Sequence, residues 1–259
     1  MKETLRILAI GDVVGRPGRE LLKSRLQGIV DTHRVDFVIV NGENSAGGKS
    51  ITPDIVREFL SIGIDVITTG NHVWDNSEVL KILDVEPALL RPANYPAGVK
   101  GHGYHIVDKK GFRVCVMNLQ GRLFMDPIDC PFQKFDALYT SVKERADMII
   151  IDFHAEATSE KQAFGWHVDG RASAVFGTHT HVQTADERVL PGGTGYISDL
   201  GMTGSFDSVI GVNKDNSVKR FLTFTRVKFE VADKNCRING ILMDISKDGK
   251  TESMERINI

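Results

Sequence analysis

The stretch ITTGNHVWDN, residues 67–76, joins a run of apolar and β-branched residues to a cluster of polar side chains. The run predicts the end of a buried β-strand, DVITTG at residues 65–70. Asn71, His72 and Asp75 follow that strand almost at once, so an amide, an imidazole and a carboxylate stand side by side. Whether this ending is only a polar turn or part of a site depends on how the other strands of the chain end.

Predicted strands and helices alternate along the first two thirds of the chain. The strands fall on short apolar runs, and the helices fall on apolar residues at helical spacing. Such alternation is typical of a largely parallel sheet covered by helices. The predicted strands are 5–11, 37–41, 65–70, 104–108, 112–118, 148–154 and 173–179. Helices are predicted from Pro17, from Pro53 with Thr52 as its cap, over 77–83, over 134–146, and from a capping box of Ser159 and Gln162.

Two segments of the last third, 221–232 and 237–246, alternate apolar and polar residues. This alternation predicts antiparallel strands, because successive side chains of a strand point to opposite faces. We therefore expect an α/β fold in one domain over residues 1–259, with a βαβ core and an antiparallel second sheet. The C-terminal strands could also pair across an interface and give a homo-oligomer.

Five of the predicted strands end in residues of the kind that bind metals. Ligands of an open parallel sheet bind beyond the carboxyl ends of its strands, so these side chains should meet at one edge. Taken singly, each ending has a simpler explanation: Asp12 could cap a helix, Asn41-Gly42 is a common turn pair, and His154 could be a hydrogen-bonded core residue. Their coincidence favours a metal site. The residues are Asp12, Glu43, Asn44, Asn71, His72, His154, His179 and His181.

The donor types of this set indicate which metals and which chemistry to expect. Oxygen and nitrogen donors without thiolates suit divalent iron, manganese or zinc. A carboxylate such as Glu43 can bridge two cations, and two cations about 3.5–4 Å apart form the usual clamp for displacement at phosphorus. The residues alone thus predict metal-assisted hydrolysis of a phosphate ester.

Composition excludes several other classes of protein. The formal net charge is −2 and no basic stripe is present, which argues against binding to duplex nucleic acid. The three cysteines form no C-x-x-C pair, which argues against a disulfide framework or a thiolate zinc site. No signal peptide or membrane-spanning apolar run is apparent, so we expect a cytoplasmic protein with a small-molecule substrate and no membrane partner.

Two further polar stretches have open interpretations. Arg91, Asn94 and Tyr95 could line a substrate pocket or could equally hold a loop. The tripeptide Gln120-Gly121-Arg122 could bring a cation to a phosphate.

Several stretches, taken together and in this order, resemble the YmdB-like branch of bacterial metallophosphoesterases. They are GDVVGRPG, NGENSAGG, TTGNHVWD, LLRPANYP, DFHAEATSEK, GTHTHVQTAD and GGTGYISDLGMTG. The sequence departs from the wider calcineurin-like superfamily in two places. Asp12 lacks the histidine that usually follows two residues later, and Glu43-Asn44 stands where a Gly-Asp pair is usual. The YmdB-like branch shares both departures.

The resemblance implies a fold, a ligand set and an activity. It implies a four-layer αββα sandwich with mixed sheets and ligands at the carboxyl ends of strands. One metal would be held by Asp12, Glu43 and His181, and the other by Glu43, Asn71, His154 and His179. Asn44 would lie beside the metals or bind phosphate. His72 would protonate the leaving oxygen.

The implied activity is that of a bacterial phosphodiesterase with bound iron, which acts on 2′,3′-cyclic nucleotides among other substrates. The alternatives are a phosphomonoesterase or a regulatory protein that binds metal or nucleotide without catalysis. His72 separates the regulatory protein from a hydrolase of either kind, because a sensor could keep its metals without this residue, whereas a hydrolase should depend on it.

Overall fold

Strands and helices alternate along residues 3–259, which the computed structural model describes. The strands are β1 (Thr4–Ile10), β2 (Asp12–Val13), β3 (Phe37–Asn41), β4 (Val66–Thr68), β5 (Tyr104–Lys109), β6 (Phe112–Gln120), β7 (Met148–His154), β8 (Ala174–Thr178), β9 (Arg188–Val189), β10 (Gly195–Ile197), β11 (Met202–Ser205), β12 (Ser208–Val209), β13 (Val212–Asn213), β14 (Cys236–Arg237), β15 (Asn239–Ser246) and β16 (Thr251–Asn258). The α-helices are α1 (Gly15–His33), α2 (Pro53–Ser61), α3 (Pro131–Val142), α4 (Thr158–Val168) and α5 (Lys214–Thr223), and short 3-10 helices lie at Asn71–Asp75 and Ser77–Lys81.

Two mixed sheets form the centre of the fold. The first has the strand order β16-β15-β1-β3-β4, in which β1, β3 and β4 run parallel and β15 and β16 run antiparallel to their neighbours. The second has the order β5-β6-β7-β8-β10-β9, with four parallel strands between two antiparallel edge strands. The carboxyl ends of the parallel strands are therefore available to build a site from both sheets.

Alternating side chains of the strands fill three apolar layers. In β1, Leu5, Ile7 and Ala9 pack between the sheets, whereas Leu8 and Ile10 pack toward the layer that contains α1 and α2. The opposite face of the second sheet packs against α3 and α4 in a third cluster. Because a strand turns successive side chains to opposite faces, both faces of each sheet are buried. The predicted four-layer αββα sandwich with mixed sheets is confirmed.

Most predicted elements lie within a few residues of their observed positions, and strands 37–41 and 148–154 match at both ends. The prediction of a strand over 221–232 is wrong. Its first residues belong to α5, because the side chain of Asn213 accepts hydrogen bonds from the backbone N–H groups of Asp215 and Asn216 and so caps a helix. The predicted strand over 237–246 is confirmed by β15.

A predicted capping box is also wrong, whereas a predicted short helix is present as a 3-10 helix. Helix α4 begins at Thr158 after Ala157 without a side-chain cap, so Ser159 and Gln162 form no capping box. The segment predicted as a helix over 77–83 is a 3-10 helix that ends at Lys81. No helix among the described residues is long and apolar enough to span a membrane.

Candidate active site

The polar strand ends meet at one edge of the sandwich. Asp12 opens β2 directly after β1, Glu43 and Asn44 follow β3, and Asn71 follows β4 in the same sheet. His154 ends β7 in the other sheet, and His179 and His181 follow β8. Gly70 permits the approach of the two groups, because a Cβ atom there would collide with the ring of His154 and the carboxylate of Glu43. The polar ending of ITTGNHVWDN therefore lies within this cluster of polar strand ends.

Three atoms of the kind that bind metals lie close to Nε2 of His154. Oε1 of Glu43, Oδ1 of Asn71 and Nδ1 of His179 each lie 3.1 Å from this nitrogen. One ring nitrogen carries at most one hydrogen, so it cannot donate a hydrogen bond to all three. The ligand atoms of Glu43, His154 and His179 lie within 4.8 Å of one another, a spacing that a metal ion could bridge. The geometry and the donor types both fit a divalent cation.

A second group of donors contains Asp12, Asn44 and His181. Nε2 of His181 lies 3.2 Å from Oδ1 of Asn44 and 3.9 Å from Oδ1 of Asp12. Asp12 is fully buried, and its Oδ1 has no hydrogen-bond partner in the described part of the chain. Its other oxygen accepts the backbone N–H of His179 at 3.2 Å. An unsatisfied buried carboxylate oxygen is costly, and a cation at this position would remove that cost.

The ionisation of these groups reflects their burial and their mutual charges. Burial raises the pKa of Asp12 to about 7. Burial lowers the pKa of His154, but the charge and hydrogen bond of Glu43 outweigh it and raise that pKa to about 9. Burial and the charge of His154 lower the pKa of His179 to about 3. The pKa values of Asp12 and His154 are both raised, so a cation, which binds their deprotonated forms, would compete with protons for these two side chains.

His72 lies at the edge of the donor cluster with one ring nitrogen already engaged. Its Nδ1 is 3.0 Å from Oδ2 of Asp75, and its backbone N–H donates to Oε2 of Glu43 at 3.2 Å. The side chain is 30% exposed and lines the cleft above the donors. Since Asp75 engages Nδ1, the other nitrogen, Nε2, is the one available to a substrate.

An open cleft of about 290 Å³ lies over the two donor groups. One wall is polar and includes Lys49, whose Nζ lies 3.5 Å from the same Asp75 oxygen that His72 contacts. Another part of the lining is apolar and consists of the side chains of Val14, Ile210, Val212 and Phe229. A cleft with both surfaces suits a ligand that carries an anionic group and an apolar or aromatic ring.

The H-T-H sequence at residues 179–181 lies beyond the end of strand β8. Strand β8 ends at Thr178, so His179 and His181 do not face one way as alternate strand residues. Both lie in a loop with positive φ angles of 99° and 65°. The ring of His179 meets His154, and that of His181 meets Asn44.

A buried ion pair supports this loop. Nζ of Lys161 in α4 lies 2.7 Å from Oδ2 of Asp199 and 2.9 Å from the carbonyl oxygen of Thr178. The same oxygen of Asp199 accepts the backbone N–H of Thr180 at 3.1 Å. Both charged side chains are at most 2% exposed. Sequence reasoning missed this pair, since Lys161 and Asp199 lie far apart in the chain and neither ends a predicted strand.

The other polar stretches lie outside the cleft. The guanidinium of Arg91 donates to the carbonyl oxygens of Pro92, Val99 and Lys100, which supports its interpretation as a loop-holding residue. Asn94 donates to the carbonyl oxygens of Gln120 and Asp129 in the same manner. Arg122 is exposed, and a nitrogen of its guanidinium lies 3.4 Å from Sγ of Cys130. Tyr95 donates to the side-chain oxygen of Gln120 at 3.2 Å.

Comparison with known proteins agrees with the geometry. The profile of the family described as YmdB-like protein matches residues 8–257. The 2′,3′-cyclic-nucleotide 2′-phosphodiesterase of Bacillus subtilis (strain 168) is 48% identical over 256 residues, which cover 98% of this chain and 97% of that protein. These matches confirm the resemblance that the motifs predicted.

Two solved structures match over nearly the whole chain. A hypothetical protein from Thermus thermophilus superposes with a TM-score of 0.93 at 40% identity, over 98% of this chain and 99% of its own. A structure described as a novel phosphatase of Mycoplasma pneumoniae superposes with a TM-score of 0.94 at 34% identity, over 100% of this chain and 94% of its own. The fold is therefore shared along the full length of these relatives.

Proposed function

Since this chain belongs to the YmdB-like protein family, we propose that it is a dinuclear metal-dependent phosphodiesterase whose substrates are 2′,3′-cyclic nucleotides. The observation that carries this proposal is the convergence of Glu43, Asn71 and His179 on Nε2 of His154 beneath an open cleft. The relative from Bacillus subtilis, which is named for hydrolysis of such nucleotides, supports the choice of substrate.

Two ligand groups would hold the two metals. Glu43, Asn71, His154 and His179 would hold one, and Asp12, Glu43 and His181 the other, with Glu43 as the bridge and Asn44 beside the second. The unpartnered Oδ1 of Asp12 supports the second position. The all-oxygen-and-nitrogen donor set fits divalent iron, and manganese or zinc would fit it as well. When bound, the cations supply Lewis-acid stabilisation of the charge that develops on the phosphate.

His72 is the general acid of the proposed reaction. Water attacks phosphorus and releases a proton to solvent, the bond from phosphorus to one ribose oxygen breaks, and that oxygen takes a proton from Nε2 of His72. Asp75 orients the ring by accepting a hydrogen bond from Nδ1. Such a positioned imidazole contributes about 10²–10⁴-fold to a rate.

The remaining surfaces of the cleft suit the rest of a nucleotide. The ammonium of Lys49 lies on the same side as His72 and can pair with a phosphate oxygen. The ring of Phe229, with Ile210 and Val212 beside it, offers an apolar face to a nucleobase. A simple phosphate ester without a nucleobase would leave this face uncovered.

The test compares the wild type with two variants, each of which replaces one histidine, in protein loaded with manganese or iron under reducing conditions. The wild type should hydrolyse 2′,3′-cyclic AMP and bis-p-nitrophenyl phosphate faster than the monoester p-nitrophenyl phosphate. His72→Ala should keep its metal and lose about 10²–10⁴-fold in turnover. His102→Ala, an exposed histidine outside the cleft, is the matched control and should retain wild-type turnover.

Three outcomes would count against parts of the proposal. Wild-type turnover in His72→Ala would remove His72 as the acid. A preference for the monoester would replace the diesterase by a phosphomonoesterase. Bound metal without turnover on any of these esters would favour the non-catalytic regulatory protein.

A further inference from the structure

Asp152 lies inside the sandwich two residues before His154 and has no place in the proposed ligand set. Its carboxylate is fully buried and accepts three hydrogen bonds. Thr178 donates to Oδ1 at 2.6 Å, and Thr68 and Asn41 donate to Oδ2 at 2.5 and 3.0 Å. These donors stand on β8, β4 and β3, so one carboxylate links strands of both sheets. Burial raises the pKa of this carboxyl, and the hydrogen bonds from the three donors act in the opposite direction by favouring its charged form.

Thr178 connects this carboxylate to the metal site. Its Oγ1 lies 2.8 Å from Nδ1 of His154. A hydroxyl group has one hydrogen, and here that hydrogen goes to Asp152. Thr178 must therefore accept its bond from His154, which means that Nδ1 of His154 carries a hydrogen whether or not Nε2 does. Nδ1 is thereby occupied, and Nε2, which lies 3.1 Å from atoms of Glu43, Asn71 and His179, is the ring nitrogen that faces the proposed metal position.

Asn41 connects the same carboxylate to the proposed bridging ligand. Its Nδ2 donates to Asp152, while its Oδ1 accepts the backbone N–H of Glu43 at 3.1 Å. The amide thus fixes the chain at the residue whose side chain lies 3.1 Å from His154. Asp152 is therefore connected to two proposed ligands, each through one hydrogen-bonded side chain. Thr178 connects it to His154, and Asn41 connects it to Glu43.

We infer that Asp152 is a positioning residue that, through Thr178, fixes the ring orientation and the protonated nitrogen of His154 for metal binding. The inference rests on the proposed metal function of the site. Hydrogen-bond partners of metal ligands orient the ligand and raise its basicity, and their loss typically costs about 10–100-fold in metal affinity.

The test removes the bridging hydroxyl and compares it with a matched hydroxyl on the same carboxylate. Thr178→Val keeps the shape of the side chain but cannot accept from His154, whereas Thr178→Ser keeps the hydroxyl. Thr68→Val is the control, because Thr68 is equally buried and donates to Asp152 but has no hydrogen bond to His154 among the described residues. The affinity of each metal-stripped protein for Mn²⁺ is measured by calorimetry, and its stability by urea unfolding.

Thr178→Val should bind Mn²⁺ about 10–100-fold more weakly than the wild type. Thr178→Ser and Thr68→Val should bind it with nearly wild-type affinity, although Thr68→Val should be destabilised to a similar degree as Thr178→Val. Wild-type affinity in Thr178→Val, or an equal loss in Thr68→Val, would overturn the inference and leave the proposed function standing. A wild-type protein that binds no Mn²⁺ would overturn both.

Discussion

Replacement of Lys161 by Met is expected to destabilise the protein strongly. The change keeps most of the aliphatic volume but removes the ammonium group that Asp199 and the carbonyl oxygen of Thr178 contact at 2.7 and 2.9 Å. Loss of one partner from a buried ion pair costs about 3–5 kcal/mol, because the other charge stays buried. Asp199 would still accept the N–H groups of Thr180 and Gly201, so the lower end, about 3 kcal/mol, applies. That is a roughly 100-fold change in the unfolding equilibrium.

Urea unfolding of the metal-stripped protein measures this change directly. With a slope near the upper end of about 1–3 kcal/mol per molar urea, the midpoint should fall by about 1 M. Arg57→Met is the control, because its pair with Asp54 is exposed and should contribute about 0–1 kcal/mol. The variant of Lys161 should also bind metal more weakly, since the pair supports the loop that holds His179 and His181 at positive φ. Coincident midpoints for Lys161→Met and the wild type would refute this reasoning.

Three further predictions concern the donor cluster and the acid. Glu43→Ala should lose metal from both positions in elemental analysis, and full metal content would contradict a bridging carboxylate. Asp75→Asn should keep its metal and lower kcat on 2′,3′-cyclic AMP less than His72→Ala does, while an unchanged kcat would show that Asp75 does not orient the acid. The metal-stripped protein should lose stability as the pH rises from 6.5 toward 9, because His154, whose pKa is raised from 6.5 to about 9 in the fold, binds more protons when folded than when unfolded over that range. Urea midpoints at the two pH values measure this decline, which a His154→Gln variant should show to a lesser degree; a rise in wild-type stability would contradict it.

The sequence predicted that the polar strand ends lie together because the relevant pattern is local. Each strand is a short apolar run, and the residue that follows it is read directly from the chain. The rule that parallel strands end at one edge then brings Asp12, Glu43, Asn71 and His154 together without further information. The structure places all four at that edge.

Tertiary contacts explain what the sequence did not predict. The alternation over 221–232 is that of a strand, but α5 takes its first residues and leaves Phe221 and Phe224 exposed. The two histidines after Thr178 reach different donors only because the loop turns with positive φ, which local propensity disfavours for residues other than glycine. Asp152 lies in an apolar strand, and only the pairing of both sheets shows which hydroxyl and amide groups face it.

The measurement that tests the central claim most directly is a titration of the metal-stripped protein with Mn²⁺ during hydrolysis of 2′,3′-cyclic AMP. Bound metal and turnover are recorded on the same sample. If two cations act together, turnover should rise with added metal and level off at about two equivalents per chain. Full turnover at one equivalent, or no turnover at any Mn²⁺ concentration despite bound metal, would contradict a dinuclear phosphodiesterase.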